Sequence, residues 1–485
     1  MVTRRRAGDR TILSLLALTD FALRIAVVQP GSFQFSDGIR LMEWSVAVKS
    51  KVFPLYPALV SLVKLVVGDP ILAASLVASI LGGLTVFPVF GLARRLFGRG
   101  AAWWAVIFYS ISLSVYIQSA GVTAGSTFAF FLLWALIHLL DHLESGGRRE
   151  LALLLASTGL ACLARPEGLV LIPLAAWRLA VGIRQGAWKQ WSVILSLLPF
   201  PVLVFWLARD ASGTGYLREI LAGLSMATPV KFLKYLRHYI GDLVAGLWFV
   251  FGVLALLGIW FSVRRPLEGA PAPRRWAALY AYLFLGFLVA LCVHWAFVPR
   301  LLAPLIILSL ILAGVGAHRL AAAGKIPRAI LVVLTLLVFT ASVAIVVALK
   351  GGLSTIGADI RIGAQALGVI ETGRSRITSD LPVETAYYSG KEVGVYIREA
   401  LSHGDIVVLH NITTDLPAEI QALKARFRVT VLDERTSPYV SPKRGGLPVV
   451  TDKVRMMDLS EREQELLEVP YRTVIVRVDD PKEKQ

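Results

Sequence analysis

Charge is scarce in this sequence, and cysteine is nearly absent. Only 17% of the 485 residues are charged and 56% are apolar, whereas a soluble domain carries roughly 25% charge. The deficit argues against an ordinary soluble fold. The apolar residues instead gather into runs of about twenty, the length that crosses a hydrocarbon core ~30 Å thick. The two cysteines, Cys162 and Cys292, both fall inside apolar runs. With no CxxC and no Cys/His metal spacing, they argue against a disulfide scaffold or a zinc module and read as small core residues. Acids are the scarcer charge, 33 against 50 Lys and Arg, for a net charge of +17. That excess is not a nucleic-acid footprint, because the arginines sit in short clusters between apolar runs, such as Arg94-Arg95 and Arg264-Arg265. Orientation signals of membrane proteins are placed in this way. The sequence also lacks a GxSxG, a Walker loop and an HExxH, which argues against an ATP-driven transporter and a zinc protease. There is no internal repeat, and no pair of interrupted helices of the kind some transporters show.

What is present is a succession of spans. Arg4, Arg5, Arg6 and Arg10 precede an apolar run from about Thr11 to Gln29. The pattern resembles a signal peptide without a small-residue cleavage site and reads as an uncleaved first helix. Residues 30–53 are polar, and 54–70, broken by Pro54, Pro57 and a Gly68-Asp69-Pro70 turn, is short for a span and reads as an interfacial helix. Further spans follow at roughly 71–93, 101–117, 125–143, 150–164, 167–183, 192–208, 244–262, 277–297, 301–318 and 327–348. The expectation is an all-α polytopic membrane domain of about eleven helices over residues 1–349. With the N-terminus in the cytoplasm, about eighteen Lys and Arg fall on cytoplasmic loops and about eleven on outer loops, the sign of the positive-inside rule. After residue 350, helical patterns at 358–371 and 416–425 alternate with β-branched runs at 405–410, 427–432 and 472–478. Residues 350–485 are thus expected to form a small, soluble, extracytoplasmic α/β domain.

This topology gathers the unusual polar residues on the outer face. Asp37, in Phe35-Ser-Asp-Gly-Ile-Arg40, follows the first span. A carboxylate there can take a proton from an acceptor hydroxyl if its pKa suits; on spacing alone a solvated loop acid or a cap is the simpler reading. Glu43 reads as a salt-bridge partner. Arg165 and Glu167 flank Pro166 between two short apolar runs; they are either functional charges near membrane depth or a helix end with a snorkelling arginine. Arg300, in His294-Trp-Ala-Phe-Val-Pro-Arg300, poses the same choice, and its paired N–H donors suit a phosphate. His294 reads as an interfacial or packed histidine. His138 and His142 have i, i+4 spacing but no third metal ligand in the sequence.

The chain resembles the GT-C superfamily of polyprenyl-phosphate-sugar glycosyltransferases, in its aminoarabinose-transferase and protein-mannosyltransferase-like branch. The resemblance runs in order through Ser36-Asp37, Phe53-Pro-Leu-Tyr-Pro57, Leu92-Ala-Arg-Arg-Leu-Phe-Gly98, Gly159-Leu-Ala-Cys-Leu-Ala-Arg-Pro-Glu-Gly-Leu169, Arg300-Leu-Leu-Ala-Pro304, Ser379-Asp-Leu-Pro382 and Tyr387-Tyr-Ser-Gly390. It implies inverting transfer of a sugar from a polyprenyl-phosphate donor on the outer face of the inner membrane. The acceptor class, whether lipid, glycan or protein, stays open. Asp37 takes the general-base position. Arg300 and Arg165, with Lys49 and Lys51 as weaker candidates, would meet the donor phosphate, whose leaving charge needs stabilisation. Arg40, Glu43, Tyr56, Glu167, His294, Tyr387 and Tyr388 complete the candidate substrate-binding set. Family members often carry an acid in the second outer turn, but here it reads Gly121-Val-Thr-Ala-Gly-Ser126. No metal ligand set is therefore assigned, no cofactor is expected with certainty, and a divalent cation is left open. Two other readings stand beside this one: a lipid or polysaccharide transporter or flippase, and a non-catalytic membrane assembly subunit.

Overall fold

In a computed structural model of the chain, the described residues are 2–26, 53–115, 122–185, 190–211, 249–264, 279–283, 285–286, 302–344, 375–379, 391–410, 416–436 and 472–481, with a few isolated positions between them. They divide into a helical unit and an α/β unit.

The helical unit begins with α1 (Val2–Ala26), which extends back through the basic cluster that the sequence reading placed ahead of the first helix. After it come α2 (Leu55–Val67), α3 (Pro70–Leu84), α4 (Val86–Phe97) and α5 (Arg99–Ile111). A hairpin of α6 (Gly125–Ser145) and α7 (Arg148–Ala164) leads through a 3-10 turn (Pro166–Leu171) to α8 (Ile172–Arg184). The unit continues with α9 (Trp191–Ser196), α10 (Pro199–Ala211), α11 (Val250–Arg264), α12 (Ala303–Ala323) and α13 (Lys325–Ala344). Among the described residues, five helical segments are long and apolar enough to cross a membrane: 70–97, 125–145, 166–184, 304–323 and 325–344. The chain is a multi-pass membrane protein. The segment expected at the interface is the short helix α2, whose Leu65 and Val66 are more than 80% exposed. Most of the expected span at 277–297 lies outside the described residues.

Local chemistry explains where these helices break. Asp69 caps α3 by accepting a hydrogen bond from the Leu72 amide at 2.8 Å, with Pro70 at the first helical position. Gly98 (φ 85°) and Gly146 (φ 64°) close α4 and α6 in backbone conformations that other residues adopt only with strain. Where helices touch, small residues bring backbones together. A Cβ on Gly258 of α11 would lie 2.0 Å from the Leu312 carbonyl oxygen, and one on Gly316 of α12 would lie 2.1 Å from that of Leu254. On α12, Gly314 packs against Ala101 and Ala105 of α5. Ion pairs tie helix ends: Arg99 to Asp9 of α1, and Arg95 of α4 in a two-bond fork with Asp141 of α6 at 2.6 and 2.8 Å.

The α/β unit is a five-stranded sheet in the order β2-β1-β3-β5-β4, formed by β1 (Ile377–Ser379), β2 (Gly394–Val395), β3 (Ile406–His410), β4 (Phe427–Thr436) and β5 (Arg472–Pro481). β1 runs parallel to β2 and β3, while β5 is antiparallel to β3 and β4. The three runs read from sequence are β3, β4 and β5, and the helical pattern at 416–425 is α14 (Leu416–Arg426). The helical pattern at 358–371 lies outside the described residues apart from Leu367 and Ile370. The alternation of β3 and β5 sends Val407, Leu409, Val474 and Val476 into one core with Leu416 and Leu423 of α14. It sends Ile406, Val408 and Ile475 into a second core with Leu367 and Ile377.

One charge network fastens α14 to this sheet. Glu419 accepts hydrogen bonds from the Arg398 guanidinium and the Tyr396 hydroxyl. Burial acts to raise the Glu419 pKa, but these donors outweigh it and hold the carboxyl below its usual range. A depressed carboxyl contributes stability above its unfolded pKa, ~4.3, and that stability is lost as pH falls through the lower folded value. Amide-exchange protection of α14 in the full chain is therefore expected to hold from neutral pH down to about pH 4.5. It should then fall, and the Glu419→Gln chain should lose that acid-dependent step. An identical acid profile in the variant would remove Glu419 as its cause.

Candidate active site

Among the described residues of the helical unit, the buried Asp and Arg side chains and Glu167 fall on α1 and at the corner after α7. On α1 an i, i+4 spacing places Asp20 and Arg24 on one face. Arg24 Nε donates to Asp20 Oδ2 at 2.8 Å, and the ion pair closes at 2.7 Å with side chains 0% and 1% exposed. Arg24 Nη1 also donates to the Val115 carbonyl at 3.4 Å, and the guanidinium lies 5.7 Å from the ring centroid of Tyr109. Tyr109 of α5 in turn donates to the Gly82 carbonyl of α3 at 2.7 Å. A buried charge persists in such surroundings only when paired and hydrogen-bonded. The pair thus links the last turns of α1 to α3 and α5, just before the chain enters the segment that carries Asp37. Sequence reasoning passed over it because 11–29 reads as one apolar run. An Asp and an Arg four apart inside such a run was the available signal.

The second group is the corner after α7. Arg165 leaves the helix with an extended backbone (φ −155°, ψ 147°), and Pro166 starts the 3-10 turn with its fixed φ. Arg165 then folds back on Glu167, with Nη2 to Oε1 at 2.6 Å and Nε to Oε2 at 3.1 Å. The side chains are 14% and 5% exposed, so the arginine is held in a carboxylate fork within the protein rather than snorkelling. Gly168 makes this corner fit: a Cβ there would stand 2.6 Å from the backbone of Ala161 and of Cys162. Gly168→Ala is expected to destabilise the fold by about 1–3 kcal/mol through overpacking and to open the Arg165–Glu167 fork. Thermal unfolding in detergent, compared with an alanine placed at the uncrowded Gly252, checks this.

The start of α2 packs beside that corner. Phe53 and Leu55 cluster with Cys162, Leu163, Leu169 and Leu203, which brings the 53–57 motif and the 159–169 motif together. Tyr56 is fully buried, and its hydroxyl donates to the Ala74 carbonyl at 2.8 Å, so it fastens α2 to α3. Of the residues singled out from sequence, Arg165, Glu167 and Tyr56 are placed here. Asp37, Arg40, Glu43, Lys49, Lys51, His294, Arg300, Tyr387 and Tyr388 lie outside the described residues.

His138 and His142 do not converge on one point. His142 Nδ1 pairs with the Gly147 carbonyl at 2.9 Å, closing the α6–α7 turn, and His138 Nδ1 meets Glu150 of α7 at 2.9 Å. The ligand atoms of His138, Asp141 and Glu150 lie within 4.8 Å of one another, but both Asp141 oxygens are engaged by Arg95. A cation there would have to displace a guanidinium, and the group fits an ion-pair clamp better than a metal centre.

Residues 51–207, which include this corner and the 53–57 motif, match the sequence profile of the dolichyl-phosphate-mannose-protein mannosyltransferases. The chain also superposes on ArnT from Cupriavidus metallidurans, in the apo state and bound to undecaprenyl phosphate. The TM-score is 0.54, over 88% of this chain and 96% of ArnT, at 14–15% identity. The chain has the fold of the GT-C glycosyltransferases. Two further solved structures share the GT-C fold with it. The archaeal oligosaccharyltransferase AglB from Archaeoglobus fulgidus, in complex with an inhibitory peptide and a dolichol-phosphate, matches at TM-score 0.51 and 13% identity, over 92% of this chain and 75% of AglB. The arabinofuranosyltransferase AftD from Mycobacteria matches at TM-score 0.52 and 17% identity, over 97% of this chain and 40% of AftD. At such identities the structural likeness is one of fold. No curated protein matches the sequence.

Proposed function

We propose that this chain is a GT-C glycosyltransferase that moves a sugar from a polyprenyl-phosphate donor to an acceptor hydroxyl on the outer face of the inner membrane, with inversion at the anomeric carbon. The observation that carries this reading is the fold shared with ArnT, which has been crystallised bound to undecaprenyl phosphate. It is supported by the mannosyltransferase profile over 51–207. The paired, buried charges also fit a site that works at the membrane boundary, where unpaired ones would be expelled.

In this reading Asp37 removes the proton of the acceptor hydroxyl as its oxygen attacks the anomeric carbon. The bond from that carbon to the phosphate oxygen breaks, and the phosphate leaves on its lipid. Arg300 meets the negative charge that develops on the leaving phosphate, with Lys49 and Lys51 as further cations. Arg165 serves the same end from its fork with Glu167. That pairing orients the guanidinium. The acceptor is a lipid, glycan or protein hydroxyl, and the N-terminus lies in the cytoplasm.

The test is transfer of labelled sugar from a panel of polyprenyl-phosphate donors by the full chain in membranes, followed by NMR assignment of the product anomer. Product of the opposite anomer to the donor is expected. Retained configuration would overturn the single-displacement mechanism, and no transfer from any donor would overturn the reading itself.

A further inference from the structure

The α6–α7 hairpin turn, at the end of α7 opposite the Arg165 corner, opens on a groove that the proposed reaction does not use. Its origin is a helix break. α9 stops at Ser196, the chain makes a tight turn through Leu197 and Leu198, and α10 restarts at Pro199, which has no amide hydrogen to continue a helix. Pro199 packs on Gly159 of α7 so closely that a Cβ on that glycine would lie 2.5 Å from the proline ring. This contact fixes one point, and α9 lies beside α7 on the hairpin side of it.

The wedge left between them has a volume of about 410 Å³, within the roughly 300–1,000 Å³ of ordinary ligand sites. Its floor is Ala152, Leu153 and Ala156 of α7 facing Leu195 of α9, and its mouth carries Arg149, Gln190 and Ser192. Small residues one turn apart keep the floor slot-like. At the mouth the charge is one-sided: Arg149 is exposed and has no ion-pair partner among the described residues, and Arg148 adjoins it in sequence. The acid next in sequence, Glu150, is turned to His138.

We infer that this groove binds an anionic glycerophospholipid, with one acyl chain in the Ala152–Ala156 slot and the phosphate on Arg149 at its mouth. An apolar slot with a single cationic end matches a lipid of that leaflet and not a free sugar or phosphate, which would leave the apolar floor unfilled. Clusters of basic residues beside membrane helices attract anionic lipids in this way. The orientation proposed above makes that leaflet the cytoplasmic one. The assignment borrows nothing else from the transferase reading.

The test uses the full chain in nanodiscs of equimolar phosphatidylglycerol and phosphatidylcholine, with the lipids that leave with the protein counted by native mass spectrometry. Wild type is expected to retain phosphatidylglycerol preferentially. Arg149→Gln, at an exposed position, is expected to lower that preference about fivefold, as loss of one cation at an anionic headgroup implies. Ala156→Phe, which fills the slot, is expected to release both lipids. Thermal unfolding of each variant establishes that it is folded, and Arg149→Gln carries the test alone if the phenylalanine disturbs packing. Equal retention by wild type and Arg149→Gln would overturn the inference. So would the absence of any headgroup preference in wild type, or displacement of phosphatidylglycerol by an equal fraction of polyprenyl phosphate.

Discussion

Replacing Arg24 alone with methionine is expected to lower the unfolding free energy by about 3–5 kcal/mol, the cost of stranding one member of a buried ion pair. Asp20 is the partner left behind. Its Oδ2 receives the guanidinium, and its Oδ1 has no other hydrogen-bond donor among the described residues, so nothing on the described surface of the site can take over the neutralising role. The double variant Asp20→Leu/Arg24→Met exchanges the pair for apolar groups of similar volume and is expected to recover most of the loss, since such exchanges are often neutral. Thermal unfolding of wild type, Arg24→Met, Asp20→Leu and the double variant in one detergent gives the coupling directly. A single variant within 1 kcal/mol of wild type would show that the pair is neither desolvated nor needed. A double variant as unstable as Arg24→Met would show instead that the bond from Arg24 to the Val115 carbonyl is the part that matters.

The α11–α12 crossing is expected to be just as intolerant. Gly258→Val and Gly316→Val should each destabilise the helical unit beyond the ~1–3 kcal/mol usual for overpacking. The reason is that the atoms in the way are carbonyl oxygens of the facing helix, of Leu312 and Leu254, at 2.0 and 2.1 Å from the added Cβ. A flexible side chain can rotate aside, but a helix backbone moves only as a body. Gly252, on the same helix with nothing within 4 Å of an added Cβ, is the matched control. Gly252→Val should be neutral or slightly stabilising, because valine has the higher helix propensity of the two. Expression and monodispersity after detergent extraction report the ranking. Equal behaviour at positions 252, 258 and 316 would refute the close crossing.

Much of this architecture was legible in the sequence for physical reasons that can be named. Long apolar runs mark spans because backbone polar groups in lipid must satisfy one another, and the segments at 70–97, 125–145 and 325–344 followed the runs closely. The strands at 406–410, 427–436 and 472–481 were legible as β-branched runs. β1 and β2, with three and two residues, are too short to show a period. The split of 191–207 into α9 and α10 was signalled by Pro199 but submerged in the hydropathy of the run. The Asp20–Arg24 pair was invisible to the same averaging, which treats two charges in twenty residues as noise. The Arg165–Glu167 corner was legible as a choice between a snorkelling arginine and a held one. Only the fold-back onto Glu167 decided it, because that depends on the extended backbone of Arg165 and on the space left by Gly168.

The most direct measurement is transfer of labelled sugar from a polyprenyl-phosphate donor in membranes holding matched amounts of wild-type chain and the Asp37→Asn variant. Loss of a general base predicts a rate lower by about 10²–10⁴-fold in the variant, with protein level and thermal stability unchanged. Equal rates in the two chains would contradict the proposal that Asp37 is the general base.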